Sequence, residues 1–251
     1  MWTIDLTGKT ALVTGASLGI GRAIALGLAE AGADVIGLAR TEQALHELGR
    51  EIRGLDRRFL PLVADLAEVE RIPEAANVAW EWHGAVDILV NAAGMMIRSD
   101  TLAVKPHEWD QLYALNVRAP FFLTQAIGAR MLEANGGAVV NICSLAGEVA
   151  TGASVLYCSS KAALIQMTRV LAAYWAPKVR VNAVGPGYIR TGMNARWLED
   201  PENVRFVLNR TPLGRIGEPG DVVGAAIFLA SPAASYITGH HLLVDGGWYA
   251  Q

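Results

Sequence analysis

The stretch Thr10-Ala11-Leu12-Val13-Thr14-Gly15-Ala16-Ser17-Leu18-Gly19-Ile20-Gly21 passes from a short apolar segment through three spaced glycines into an Ala- and Leu-rich segment. Its periodicity is that of a buried strand, a tight turn and the first turn of a helix. Glycines in such a turn let backbone approach a ligand closely and let the helix sit against the strand, while the N–H groups at the helix start attract an anion. A dinucleotide pyrophosphate suits this arrangement, and Gly15, Ser17, Leu18, Gly19, Ile20 and Gly21 would hold it. The spacing is G-x-x-x-G-x-G rather than G-x-G-x-x-G, so the turn alone also fits glycines that serve only a tight turn in another α/β protein.

Outward from that turn, short β-branched runs alternate with longer Ala- and Leu-rich ones to the end of the chain. Strands are expected at 10–14, 34–39, 58–63, 86–91, 137–143, 179–183 and 240–244. Helices are expected at 20–31, 41–54, 68–83 and 106–134, the last kinked at Pro120. Near-continuous apolar strands imply cover on both faces. The expected fold class is α/β: a Rossmann-type, doubly wound, seven-stranded parallel sheet with helices on both faces. No repeat, low-complexity tract or linker interrupts the pattern, so residues 1–251 read as one dinucleotide-binding and catalytic domain. Residues 185–220, irregular and rich in Gly-Pro steps and alternating charge, read as a substrate loop or lid.

Composition narrows the function classes. Hydrophobic residues make up 52% of the 251 and charged ones 18%, and the mean hydropathy is +0.29, enough for a large core and for apolar surface between subunits. No uncharged apolar run reaches the roughly 18 residues that a bilayer span needs, so no membrane partner is expected. A net charge of -3 gives no basic footprint for nucleic acid. The start at Met1 lacks the basic and apolar regions of a secretory signal, and a cytoplasmic location is expected. Cys143 and Cys158 are too few for a disulfide framework and lack ligand spacing, and His240 with His241 has no third ligand nearby, so no metal is expected.

Two further positions carry chemistry. The residue ending the second strand meets the adenosine ribose in such folds, and a carboxylate there would repel a 2'-phosphate. This chain has Leu38-Ala39-Arg40-Thr41, so Arg40 could pair a 2'-phosphate, favouring NADP(H) over the alternative NAD(H). Then Tyr157-Cys158-Ser159-Ser160-Lys161 places a phenol and an ammonium at i and i+4, on one face of a helix that follows Gly152. A Tyr ordinarily titrates at about 10, too high for efficient proton exchange near neutrality, and a nearby ammonium pulls that value down.

The glycine turn, Asp65-Leu66, Asn91-Ala92-Ala93-Gly94, Leu115-Asn116-Val117, Ser144 thirteen residues before Tyr157, Lys161, and Pro186-Gly187 with Thr191 stand in one order along the chain. Together they resemble the short-chain dehydrogenase/reductase family over essentially the whole length. The resemblance implies an NAD(P)-dependent oxidoreductase acting on a carbonyl or secondary alcohol. It implies that Tyr157 is general acid in reduction and general base in oxidation, and that Lys161 lowers its pKa and bonds the nicotinamide ribose. Ser144 would donate to the substrate oxygen, and Asn116 would interrupt a long helix and hold a water leading from Lys161. Asp65 and Leu66 would meet the adenine, and Asn91, Ala92 and Gly94 the adenosine ribose side. Pro186, Gly187, Ile189 and Thr191 would lie at the nicotinamide. One departure is visible: the family usually has two consecutive Asn where this chain has Asn91-Ala92, which leaves open what braces that turn.

For the substrate, the lid would bring Tyr188, Met193 and Trp197 near the reacting carbon, and Arg98 could approach from the turn after Asn91. Arg98, Arg190, Arg196, Arg205 and Arg210 include candidate carboxylate anchors. Within the family, Arg58-Phe59-Leu60, Arg98 and the ending Val244-Asp245-Gly246-Gly247-Trp248 look most like sugar-acid dehydrogenases of the deoxygluconate and gluconate type. The glycine turn and second strand are equally similar to 3-oxoacyl-carrier-protein reductases. The resemblance also implies a homotetramer, with residues 237–249 suited to a subunit contact. The remote alternative is a dinucleotide-binding regulator without turnover.

Overall fold

The computed structural model describes residues 4–151 and 153–251. Met1 to Thr3, the start of the segment read for a secretory signal, and Gly152, ahead of the Tyr157 helix, lie outside them.

Seven parallel strands form one sheet. They are β1 (Thr10–Thr14), β2 (Asp34–Ala39), β3 (Phe59–Val63), β4 (Ile88–Asn91), β5 (Gly137–Ile142), β6 (Val179–Pro186) and β7 (His241–Val244), in the order β3-β2-β1-β4-β5-β6-β7. The order reverses between β1 and β4, which pair in parallel through Ala11↔Ile88 to Val13↔Val90. At such a switch point the loops beyond the strand ends diverge and leave a crevice.

Alternation along β1 explains the two layers. Ala11 and Val13 face a core with Ile24 and Leu28 of α1 (Gly19–Glu30), Leu45 and Leu48 of α2 (Glu42–Arg53) and Leu229 of α8 (Pro219–Ala230). Leu12 between them faces the opposite core, with Ala75 and Ala79 of α3 (Ile72–Glu81) and Leu123 and Ile127 of α5 (Ala119–Glu133). Each fully buried Leu or Ile contributes about 1.5–3 kcal/mol relative to exposure. α6 (Val155–Trp175) closes the second layer, and α4 (Pro106–Tyr113) and α7 (Pro201–Leu208) complete the helices.

Three expectations are corrected. Residues 106–134 are not one helix kinked at Pro120: α4 gives way to a π-helical turn, Ala114–Arg118, with Ala119 N–H bonded to the Ala114 carbonyl, and α5 then begins. Pro120 has no N–H for the Asn116 carbonyl, so the α ladder cannot run through this point, and Pro120 lies in the first turn of α5 where that N–H is not needed. The sixth strand continues past Ala183 to Pro186, because β7 pairs with it as far as Pro186↔Val244. The segment 185–220 is not wholly irregular, since it holds the end of β6, a 3-10 turn at Trp197–Glu199 and α7.

Candidate active site

The glycine turn forms the floor at one end of a cleft. Gly15 has φ +66°, and a Cβ there would come within 2.9 Å of Ala93 backbone. A Cβ on Gly21 would overlap the Gly15 carbonyl. Leu18, the N-cap of α1, is extended and offers no side-chain cap, and the first turn holds no acidic residue. The opening N–H groups of α1 therefore lack a side-chain acceptor, and with the glycine cradle they fit a pyrophosphate.

The turn after β4 is braced without a second Asn. Thr14 Oγ1 accepts from the N–H groups of Ala92 and Ala93, each at 3.0 Å. Asn91 points away from the cleft: its Nδ2 donates to Thr124 Oγ1 and Asn141 Oδ1, each at 2.8 Å, and it is 3% exposed. The Asn91 side chain is thus a buried brace between β4, α5 and β5. Ala92 and Gly94 do line the cleft, as do Asp65 and Leu66 after β3. Arg40 stands at the same end, with Nη1 3.5 Å from Asp65 Oδ2.

α6 delivers the phenol and ammonium. Ser154 caps it, with Oγ accepting from Tyr157 N–H at 3.4 Å and donating to the Ile97 carbonyl at 2.5 Å. One hydroxyl thus ties the first turn of the helix to the segment bearing Arg98. Tyr157 and Lys161 are both buried. Lys161 Nζ donates to the Ile142 carbonyl at 2.9 Å and lies 5.7 Å from the Tyr157 ring centre. Burial pushes the Tyr157 phenol up to about 12, opposed by its hydrogen bond with Ser144. Burial also lowers the Lys161 pKa. Burial of the phenol opposes the lowering expected from Lys161, whose Nζ is directed at the Ile142 carbonyl in this state. The arrangement holds a protonated phenol beside a serine hydroxyl, a pair able to give a proton and a hydrogen bond to one oxygen.

Asn116 is absent from the cleft wall. Its Oδ1 accepts from Met95 N–H and its Nδ2 donates to the Met95 carbonyl, both at 2.9 Å, and to Ser160 Oγ at 3.1 Å. It clamps the turn after β4 to α6, and the place a Gly94 Cβ would take lies 3.4 Å from Asn116 Oδ1 and 3.5 Å from Lys161 Nζ.

Pro186, Gly187, Ile189 and Thr191 line the far side with Tyr188 and Met193. Trp197 does not line it: the ring stacks on Tyr188 at 5.6 Å between centroids, one layer behind the wall. Of the five candidate arginines, Arg98 alone lines the cleft among the described residues. Arg190 pairs with Glu218 at 3.4 Å. Sequence reasoning missed Asn194, whose Oδ1 accepts from Thr191 N–H at 3.0 Å and whose Nδ2 donates to the Ile189 carbonyl at 2.9 Å. The T-x-x-N spacing of a side-chain-braced turn was the available signal. Met96, Thr151 and Ala153 also line the cleft, and no motif marks them.

No group of three His, Cys, Asp or Glu placed to hold a metal occurs among the described residues. His241 begins β7 and bonds Glu148 through Nδ1 at 2.9 Å.

A family profile described as Enoyl-(Acyl carrier protein) reductase matches residues 15–249. The 2-dehydro-3-deoxy-D-gluconate 5-dehydrogenase of Escherichia coli (strain K12) is 38% identical over 249 residues, covering 98% of both chains. This chain belongs to the short-chain dehydrogenase/reductase family. As a short-chain dehydrogenase/reductase it is an NAD(P)-dependent oxidoreductase acting on CH–OH groups. Another family member, the galactitol 2-dehydrogenase (L-tagatose-forming) of Cereibacter sphaeroides, is 42% identical over 246 residues, 97% of this chain and 96% of its own. A crystal structure of a gluconate 5-dehydrogenase from Burkholderia cenocepacia J2315, in complex with NADP and tartrate, superposes with a TM-score of 0.94 at 35% identity, covering 98% of this chain and 97% of that one. This short-chain dehydrogenase/reductase has no helix long and apolar enough to cross a membrane among its described residues.

Proposed function

We propose that this protein is an NADP(H)-dependent dehydrogenase that interconverts a secondary alcohol and a ketone on a sugar acid. The observation that carries the reading is the distribution of charge along one cleft: Arg40 beside Asp65 at the ends of β2 and β3, the Tyr157–Ser144 pair beyond β5, and Arg98 on the segment after β4. A 2'-phosphate next to Arg40 would compete with Asp65 for the guanidinium, and a substrate carboxylate would meet Arg98. The Burkholderia relative in complex with NADP and tartrate, a hydroxy acid, supports an NADP(H) cofactor and an acidic substrate. NAD(H) remains the alternative cofactor.

A dinucleotide held by the glycine turn would supply or accept the hydride. The chain's own residues handle the proton. In reduction the Tyr157 phenol gives its proton to the substrate oxygen, and the Ser144 hydroxyl donates to the same oxygen as negative charge grows on it. In oxidation Tyr157 must first release its proton to solvent through the cleft and then takes the one leaving the alcohol. Lys161, buried with Nζ on the Ile142 carbonyl, is held beside the phenol, 5.7 Å from its ring centre. The segment 185–220 would cover the substrate as a lid.

A second reading, a 3-oxoacyl-carrier-protein-type ketoreductase, is favoured by the family profile's description and by Met96, Met193 and Ala153 on the cleft wall. Turnover of sugar acids, polyols and 3-oxoacyl thioesters with NADP+ or NADPH, followed by nicotinamide absorbance, separates the readings. Sugar acids with NADP+ should give the highest kcat/KM. Turnover confined to thioesters replaces the first reading with the second, and tight dinucleotide binding with no turnover of the panel points to a regulator. We infer a homotetramer, supported by the exposed apolar side chains of Leu102, Tyr174, Leu213 and Tyr236, to be checked by light scattering. A cytoplasmic site suits the free thiols Cys143 and Cys158.

A further inference from the structure

Four aromatic rings meet one after another, one pair stacked and two tilted, and an arginine lies over each end. The Arg98 guanidinium carbon lies 4.9 Å from the Trp197 ring centre. Trp197 stacks on Tyr188 at 5.6 Å with 21° between planes, and Tyr188 meets Trp248 at 5.0 Å. Trp248 meets Phe206 at 5.7 Å, and the Arg210 guanidinium carbon lies 4.3 Å from the Phe206 ring centre. All four rings rest on a small core of Leu198, Val207 and Ile216.

Only Arg98 and Tyr188 of this set line the cleft. Trp197 and Trp248 stand behind them, so whatever they do for a ligand they do through Tyr188 and Arg98. A guanidinium laid on an indole face is held by the ring quadrupole, and that contact occupies none of the N–H edges with which it grips a carboxylate. Holding a long, rotamer-rich side chain in one orientation before the ligand arrives removes part of the ordering cost of binding. A neutral polyol, with no carboxylate to place, gains nothing from it.

We propose that Trp197 is a positioning residue that sets selectivity for acidic over neutral substrates by holding the Arg98 guanidinium, and that Trp248, near the carboxyl end of the chain, keeps Trp197 in place through Tyr188. The proposal rests on the reading of Arg98 as the carboxylate anchor. It makes the last turn of the chain part of the specificity apparatus, although that turn does not reach the cleft.

The test compares KM and kcat for a sugar acid and for a neutral polyol in the full-length protein, with cofactor affinity and melting temperature as controls for folding. Trp197→Leu should raise KM for the acid about tenfold while leaving kcat and the polyol KM within about twofold, and Trp197→Phe should restore most of the acid affinity. Trp248→Leu should show a smaller change in the same direction. Arg98→Lys, which keeps the charge but loses the planar face without disturbing the aromatic core, should also lose acid preference. Arg98→Met tests the underlying reading. If it leaves the acid-to-polyol ratio of kcat/KM unchanged, the carboxylate assignment and this inference fall together. If it abolishes the ratio while Trp197→Leu and Arg98→Lys preserve it, or if Trp197→Leu lowers acid and polyol kcat/KM equally, the inference falls and the carboxylate assignment stands.

Discussion

At the dinucleotide end of the cleft the contacts are backbone: glycines whose missing side chains make room, N–H groups at the start of α1, and a turn held by Thr14. At the substrate end they are side chains, with Arg98 from the segment after β4, Tyr188 and Met193 from the loop after β6, and Trp197 and Trp248 behind them. The first end hangs on β1, a central strand buried along its whole length. The second hangs on loops, one short helix and the chain end. A backbone cradle on a central strand tolerates little change, whereas loops carrying side chains can be altered one at a time, which suits an end that selects among related substrates.

The sharpest way to break this contrast lies between the two ends, at Tyr157. Tyr157→Phe should keep cofactor affinity and lower kcat by about 10²–10⁴-fold, measured by nicotinamide absorbance and fluorescence titration. Near-normal turnover would move the proton-handling group elsewhere. A second, nearly as large effect is expected from pH. Burial holds the phenol up to about 12, so it carries its proton at neutral pH. The form that accepts a proton then grows about tenfold per pH unit below that value. Oxidation kcat/KM should therefore climb from pH 6 to 9 while reduction stays flat. A plateau in oxidation near pH 7 would show that the loaded site overcomes burial and pulls the phenol down.

Two smaller effects probe the dinucleotide end. Gly21→Ala puts a Cβ into the Gly15 carbonyl, and should weaken cofactor binding about 10- to 100-fold and cost about 1–3 kcal/mol of stability. Unaltered affinity in that variant would mean the turn has slack that its backbone geometry does not suggest. Arg40→Ala should weaken NADP(H) about tenfold and NAD(H) hardly at all, since the guanidinium is largely exposed and its bond to a phosphate is screened. Equal losses for both dinucleotides would remove the argument from the end of β2.

Much of the dinucleotide end and of the proton-handling pair was legible along the chain because the parts of each are contiguous: Gly15 to Gly21 lie within one strand–turn–helix, and Tyr157 and Lys161 one helical turn apart. Less legible are positions where a side chain's direction depends on distant neighbours. Asn91 sits at a strand end beside the turn that lines the cleft, and only the opposing Thr124 and Asn141 draw it inward. Trp197 lies in the expected lid, and only Tyr188 between it and the cleft puts it in a second layer. Pro120 signals a break in the helix, but the disruption falls at the carbonyl four residues back, inside the π-helical turn.

The amino-acid sequence by itself determined the alternation of strand and helix, the phosphate-binding turn and the spacing of the phenol and ammonium, all of which follow from periodicity and local backbone chemistry. Tertiary structure alone decided how deeply Tyr157 is desolvated, and hence which way its proton equilibrium leans. It alone brought residues 98, 188, 197, 206 and 248 into one chain of contacts. Desolvation and stacking depend on groups far apart in the chain, and no local pattern encodes their approach.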